Sequence, residues 1–190
     1  MKTVQRPPTP PPGAQLWPLS VAAYHALGEA GLVPKNAELL YGFVYQKMPK
    51  SPYHCFLLTR LLRLLQAVLP GGRLLRSEQP ISCEDSEPEP DISVVRGSEY
   101  DFRLEHPKTA DLVIEICVTS REYDRSKLRA YAAAGVREVW LVLAPQKQLE
   151  VWRRQPDGQF AEPKTCGPGG SVTSEAVAEF TLDLGALFSA

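Results

Sequence analysis

The order of elements legible in the sequence predicts an α/β (α+β) fold, a mixed β-sheet flanked by helices. Three observations carry this: a long leucine-faced helical stretch over 51–70, a series of short apolar runs after it, and a helical stretch over 120–134 set between two of those runs. Each apolar strand face needs a covering layer. Helix, hairpin, helix, strands, helix, strands supplies the layers in an order that a mixed sheet can use.

The elements follow in chain order. "QRPPTPPPG", residues 5–13, can form neither helix nor ladder, because each proline removes a donor and fixes φ. Residues 1–18 therefore read as a Pro-rich N-terminal arm and 19–190 as a single domain, long enough to bury roughly 70% of its unfolded surface. Ser20 is placed to cap a first helix that ends at Gly31. "AELLYGFVYQKM" predicts two short strands turning near Gly42, with Glu38 near their start. Ser51-Pro52 opens the long helix and Pro70-Gly71-Gly72 stops it. Between them Leu57, Leu58, Leu61, Leu64, Leu65 and Val68 recur at three- and four-residue spacing, which gives a core face. Strands are expected in "GRLLRSEQPIS", "PDISVVR", "DLVIEICV", "VREVWLVLA" and "QLEVWRR", with Trp140 and Trp152 in the sheet core. The tail after Gly167 predicts one short strand or turn with apolar anchors.

Composition excludes several functions. With 21 basic and 22 acidic residues the net charge is −1, which argues against a basic nucleic-acid coat but allows a local basic patch. Cys55, Cys83, Cys117 and Cys166 have no CxxC spacing, so neither a zinc ribbon nor a disulfide framework is indicated. No apolar run approaches a membrane span, and a reduced, bacterial type of cytoplasm is the expected location.

Two carboxylates stand out. Glu115 sits inside the apolar run "DLVIEICV", and Asp91 follows Pro90 at the start of another strand; this pattern suggests a metal site. Many metal-dependent nucleases would place a lysine two residues after the second acid, and here that residue is Cys117. Lys127 can replace it. Glu115 lies four residues before Thr119, about 13 Å along a strand. Lys127 lies eight residues after Thr119, about 12 Å along a helix. A helix folding back antiparallel thus brings Lys127 level with Glu115, with Asp124 on the same face to orient it and Tyr131 one turn beyond. Thr119 and Glu122 have capping-box spacing at the helix start.

On these residues the chain resembles the Uma-two family of bacterial endonucleases, within the restriction-endonuclease-like PD-(D/E)xK superfamily. The matching pieces are "AELLYG", "SPYH", "EPDISVV", "ADLVIEI" and "DRSKLRAYAAAGVREVWLVLAP", covering about Ser20 to Arg154. The last is the most specific. One departure is Val118-Thr119-Ser120 where the family usually carries Ser-Pro-Ser. The resemblance implies a restriction-endonuclease-like mixed sheet and a DNA-cutting site with Asp91, Glu115 and Lys127 as its catalytic residues. Asp91, Glu115 and Glu38 would serve Mg2+ or Mn2+, since hard cations take oxygen ligands. Asp124, His54 (at the family's helix-start histidine) and Tyr131 would support them. DNA is the implied partner, and a homodimer follows if both strands of a duplex are cut.

Each residue also has an ordinary structural reading. Glu115 can be a partly buried acid paired with Lys127 or Arg125, Asp91 a residue at the start of a strand, Glu38 a hairpin-edge charge, and Asp124–Lys127 a solvated pair. Arg121, Arg125 and Arg129 read as a solvent face, with phosphate binding the minority reading. The competing function is a catalytically inactive nuclease-fold module for nucleic-acid or protein interaction. A glycosidase pair fits less well, because a lysine joins the site and no aromatic-rich cleft is evident.

Overall fold

Six strands form the central sheet, in the order β3 (Arg73–Ser77), β4 (Ile92–Arg96), β5 (Leu112–Cys117), β6 (Glu138–Leu143), β7 (Gln148–Arg153) and β8 (Lys164–Cys166). The structure is a computed structural model that describes residues 12–189, so most of the Pro-rich arm lies outside the described residues. All neighbouring strands pair antiparallel except β5 and β6. A parallel pair needs a long crossover, and the helical stretch between β5 and β6 supplies it.

Alternation along the strands divides the core between the two sheet faces. Ile92, Val94, Ile114, Ile116, Trp140 and Val142 point to the face covered by α2 (Pro52–Val68), which contributes Leu57, Leu61 and Leu65. Val95, Val113, Cys117, Val139 and Leu141 point to the other face, where Tyr131 packs. Glu115 lies between Val113 and Cys117, so its side chain belongs to this second face.

Before the sheet come α1 (Val21–Glu29), with Ser20 as its cap, and the hairpin β1 (Ala37–Leu40) and β2 (Phe43–Gln46). Tyr41 and Gly42 form the tip, both with positive φ, 55° and 77°. This suits a two-residue turn whose twist matches the strands. A Cβ on Gly42 would lie 2.2 Å from the Cβ of Pro18, so only glycine fits where the incoming chain crosses the tip.

Three local expectations are corrected. The 120–134 stretch is two short helices, α3 (Arg121–Ser126) and α4 (Leu128–Ala133). The break has a cause: the Tyr41 hydroxyl donates to Ser126 O at 2.5 Å and accepts from Ala130 N at 3.1 Å, standing between two groups that a continuous helix would join. The Thr119–Glu122 capping box does not form. Ser120 is the N-cap residue, and its hydroxyl donates to Asp124 Oδ2 at 2.5 Å, a charged acceptor that makes the stronger bond. The tail holds more than one strand: β9 (Ser171–Thr173) and β10 (Thr181–Asp183) pair, and α5 (Leu184–Phe188) follows. Phe180, Leu182, Leu184 and Leu187 anchor it under α2. Trp140 is fully buried, with its ring 5.3 Å from Phe180, while Trp152 is half-buried at the second face. Among the described residues no helix is long and apolar enough to cross a membrane.

Candidate active site

Strand register places the two acids. Ile92 pairs with Ile114 across β4 and β5, so the next step of the antiparallel ladder sets Asp91 opposite Glu115 on one sheet face. The two are joined directly: Asp91 N donates to Glu115 Oε2 at 3.3 Å, and Ile116 N donates to Asp91 Oδ2 at 2.7 Å. His54, in the first turn of α2, brings Nε2 to 3.0 Å from Asp91 Oδ2, and Lys50 Nζ stands 3.5 Å from Oδ1. Burial pushes the Asp91 carboxyl up, but His54, the Ile116 N–H and Lys50 together outweigh it and hold the group below its ordinary value.

Lys127 closes the cluster from above. Its Nζ lies 3.2 Å from both Glu115 Oε1 and Glu38 Oε1 and 3.9 Å from Asp124 Oδ1, with the side chain only 4% exposed. Burial would lower this ammonium, but Glu115, Glu38 and Asp124 hold it well above its usual value. Tyr131 donates its hydroxyl to Glu115 Oε1 at 2.6 Å. Glu38 accepts from Tyr123 Oη at 2.7 Å and from the Glu89 N–H at 2.9 Å. The structure thus brings Glu38, Asp91, Glu115, Lys127, Asp124, His54 and Tyr131 into one connected network.

Glu115 is pushed up to about 8 by burial, with Asp124 and Asp91 adding to the rise and Lys127 opposing it. That would put a proton on Glu115 near neutral pH, whereas the elevation of Lys127 calls for anionic partners. Several carboxyls share one buried ammonium, so Lys127 keeps its charge and the surplus negative charge is relieved at Glu115. Burial also raises Asp124, against Lys127 and Ser120. At the strand position two residues after Glu115, burial pushes the Cys117 thiol up, and it stays protonated packing.

A pH dependence follows. Glu115 releases its proton near 4.5 in an ordinary setting and near 8 here. Between those values the unfolded chain binds fewer protons than the folded one, so stability falls as pH rises through that window. Asp91 acts oppositely at the acid end, where its depressed carboxyl loses stability as pH drops. Urea midpoints at about pH 5 and about pH 8 should show the decline in the wild type and a flatter response in Glu115→Gln.

Several participants escaped the sequence reading. Tyr123 lies four residues before Lys127, and its ring is 5.2 Å from Nζ; the helical spacing could have shown it. Lys50, the Glu89 N–H and Tyr41 carry no local signal. Arg121 and Arg125 both hold Glu150 Oε1 at 2.6 Å, and Arg129 lies over the Tyr41 ring at 3.8 Å. Arg121 and Arg129 are exposed and Arg125 half-buried, as a solvent face requires, while each is also engaged by a neighbour within the fold.

The donor chemistry suits a hard cation, since Asp91 and Glu115 offer carboxylate oxygens from adjacent strands. Asp91 Oδ1 and Glu115 Oε2 are the least engaged of these, each with a single long contact of 3.5 and 3.3 Å. Among the described residues no group of three or more His, Cys, Asp or Glu is in metal-holding geometry. Glu38 faces Lys127 and two other donors, so a metal contact from it would require one of them to move.

A family model described as "Putative restriction endonuclease" (Uma2) matches residues 23–185. The chain belongs to the Uma2 family. Its nuclease-like fold is shared with a solved structure described as a "putative nuclease belonging to DUF820" from Anabaena variabilis, at a TM-score of 0.75 and 19% identity, over 90% of this chain and 98% of that one. Identity at that level speaks for the fold. No curated protein matches this Uma2 chain.

Proposed function

We propose that this Uma2 protein is a divalent-metal-dependent endonuclease that hydrolyses DNA phosphodiester bonds. One observation carries the reading: Lys127 reaches from the start of α4 to within 3.2 Å of Glu115, restoring by a helix the ammonium that Cys117 leaves out of β5. Asp91 and Glu115 would hold Mg2+ or Mn2+. A cation there would lower the pKa of water and neutralise charge on the phosphate. Lys127 would orient the attacking water or donate to a phosphate oxygen, as a compact cation can. His54 fixes the Asp91 carboxylate, and Tyr131 with Glu38 holds the acid–lysine pair in place. A homodimer would present two such sites to a duplex.

The second reading, a non-catalytic module, draws on the closed state of the cluster: Glu38 and Glu115 are already satisfied by Lys127 and two tyrosines. One experiment separates them. Purified protein should nick supercoiled plasmid with Mg2+ or Mn2+ and not with Ca2+ or EDTA, and millimolar Mn2+ should raise its melting temperature. An identical melting temperature in Mn2+ and EDTA, with no cleavage of duplex, single strand or RNA, would favour the module.

A further inference from the structure

Helix α2 contains no acidic residue, and Tyr53, Phe56, Arg60 and Arg63 recur on one face at three- and four-residue spacing. That face looks away from the core. Tyr53 is 40% exposed and Phe56 46%, unusual for adjacent aromatic rings on a helix with a well-formed apolar face elsewhere. The two rings stack, centroids 6.3 Å apart at 11°. The Arg60 guanidinium lies over the Phe56 ring at 5.6 Å. Arg60 is itself fixed, donating to Ser189 O at 2.7 Å and to Ser189 Oγ at 3.1 Å.

This column is braced at one end and open at the other. The open end is Tyr53, next in sequence to His54, whose ring contacts Asp91 at 3.0 Å. Lys50, just before the cap of α2, stands 3.5 Å from the same aspartate. Among the described residues neither Arg60 nor Arg63 has a carboxylate partner within salt-bridge distance, so α2 presents uncompensated positive charge beside its rings.

We propose that this face binds single-stranded or locally opened DNA, with Tyr53 stacking on an unpaired base next to the candidate active site and the exposed Arg63 following the phosphates. Bases within a duplex already have both faces covered, whereas an unpaired base can gain stacking on an aromatic ring. Phe56, itself covered by Arg60, backs the Tyr53 ring, which lowers the ordering cost of that contact. The substrate preference rests on the nuclease reading for its position beside a scissile phosphate; the binding itself does not.

The test uses the full chain in EDTA, so that binding is read without cleavage. Fluorescence anisotropy compares oligodeoxythymidylate with a hairpin duplex. The single strand should bind more tightly, and Tyr53→Ala should weaken it by about 5- to 150-fold while Tyr53→Phe keeps the affinity. Arg63→Gln should lower the slope of log affinity against log salt by about 0.7. Circular dichroism checks that these exposed substitutions leave the fold intact. Wild-type affinity in Tyr53→Ala would overturn the proposal. So would sedimentation showing that Tyr53→Ala/Phe56→Ala splits a dimer without affecting DNA binding, since the face would then join two copies of the chain. Tyr53-dependent binding without cleavage in Mn2+ would sink the nuclease reading and leave this one standing; cleavage indifferent to Tyr53 would do the reverse.

Discussion

Asp91→Ala, Glu115→Ala and Lys127→Ala should each lower Mn2+-supported plasmid nicking by about 100- to 1,000-fold, the loss expected when one charge-stabilising group is removed from a preorganised site. The three residues sit in one hydrogen-bonded network, with Asp91 N on Glu115 and Lys127 on the other oxygen of the same carboxylate. Groups that act as a unit are non-additive, so the double variants should lose little more than the singles. Lys127→Arg should fail too, because a planar guanidinium cannot replace an ammonium squeezed between Glu38 and Glu115. Cys117→Lys tests the geometry from the other side: if an ammonium from the strand reaches the same place, it should recover part of the Lys127→Ala loss. Wild-type nicking in both Asp91→Ala and Glu115→Ala would instead identify a contaminating nuclease.

The largest effect on stability should come from Lys127→Met. This change leaves Glu38, 1% exposed and 3.2 Å from the Lys127 ammonium, without its cation. Breaking a buried ion pair by removing one partner costs about 3–5 kcal/mol, because the remaining charge is buried and uncompensated. Adding Glu38→Gln to Lys127→Met should recover a large part of that loss, and urea denaturation of the two singles and the double gives the coupling directly. Additive losses would mean that the 3.2 Å contact contributes little. Activity and stability must be measured on the same preparations, since an unfolded Lys127 variant would mimic a catalytic defect.

The elements that were legible are those with a long period. The six-residue apolar runs of β5 and β6 and the leucine face of α2 could be read directly, because burial on a sheet face or helix stripe repeats often enough to show. Strands β8, β9 and β10 have three residues each, too few for a pattern to emerge. Lys127 could be placed opposite Glu115 from the rise per residue of a strand and a helix. That arithmetic assumed an unbroken helix, and its result survived the interruption because the break falls at Lys127 itself, whose ammonium still reaches Glu115 at 3.2 Å. Tyr123 on Glu38 and Lys50 beside Asp91 depend on contacts 85 and 41 residues apart in sequence, which only the packing of hairpin and helices on the sheet decides.

Tyr41 gives this packing a mechanical meaning. Its hydroxyl occupies the gap between Ser126 and Ala130, and its ring is covered by Arg129, so the tip of the β1–β2 hairpin is pinned at the seam between α3 and α4. Glu38 rides on that hairpin and Lys127 sits at that seam. The spacing between acid and ammonium is therefore gauged by a peg outside the cluster, and any force that lifts the hairpin pulls Glu38 and the lysine's backbone together.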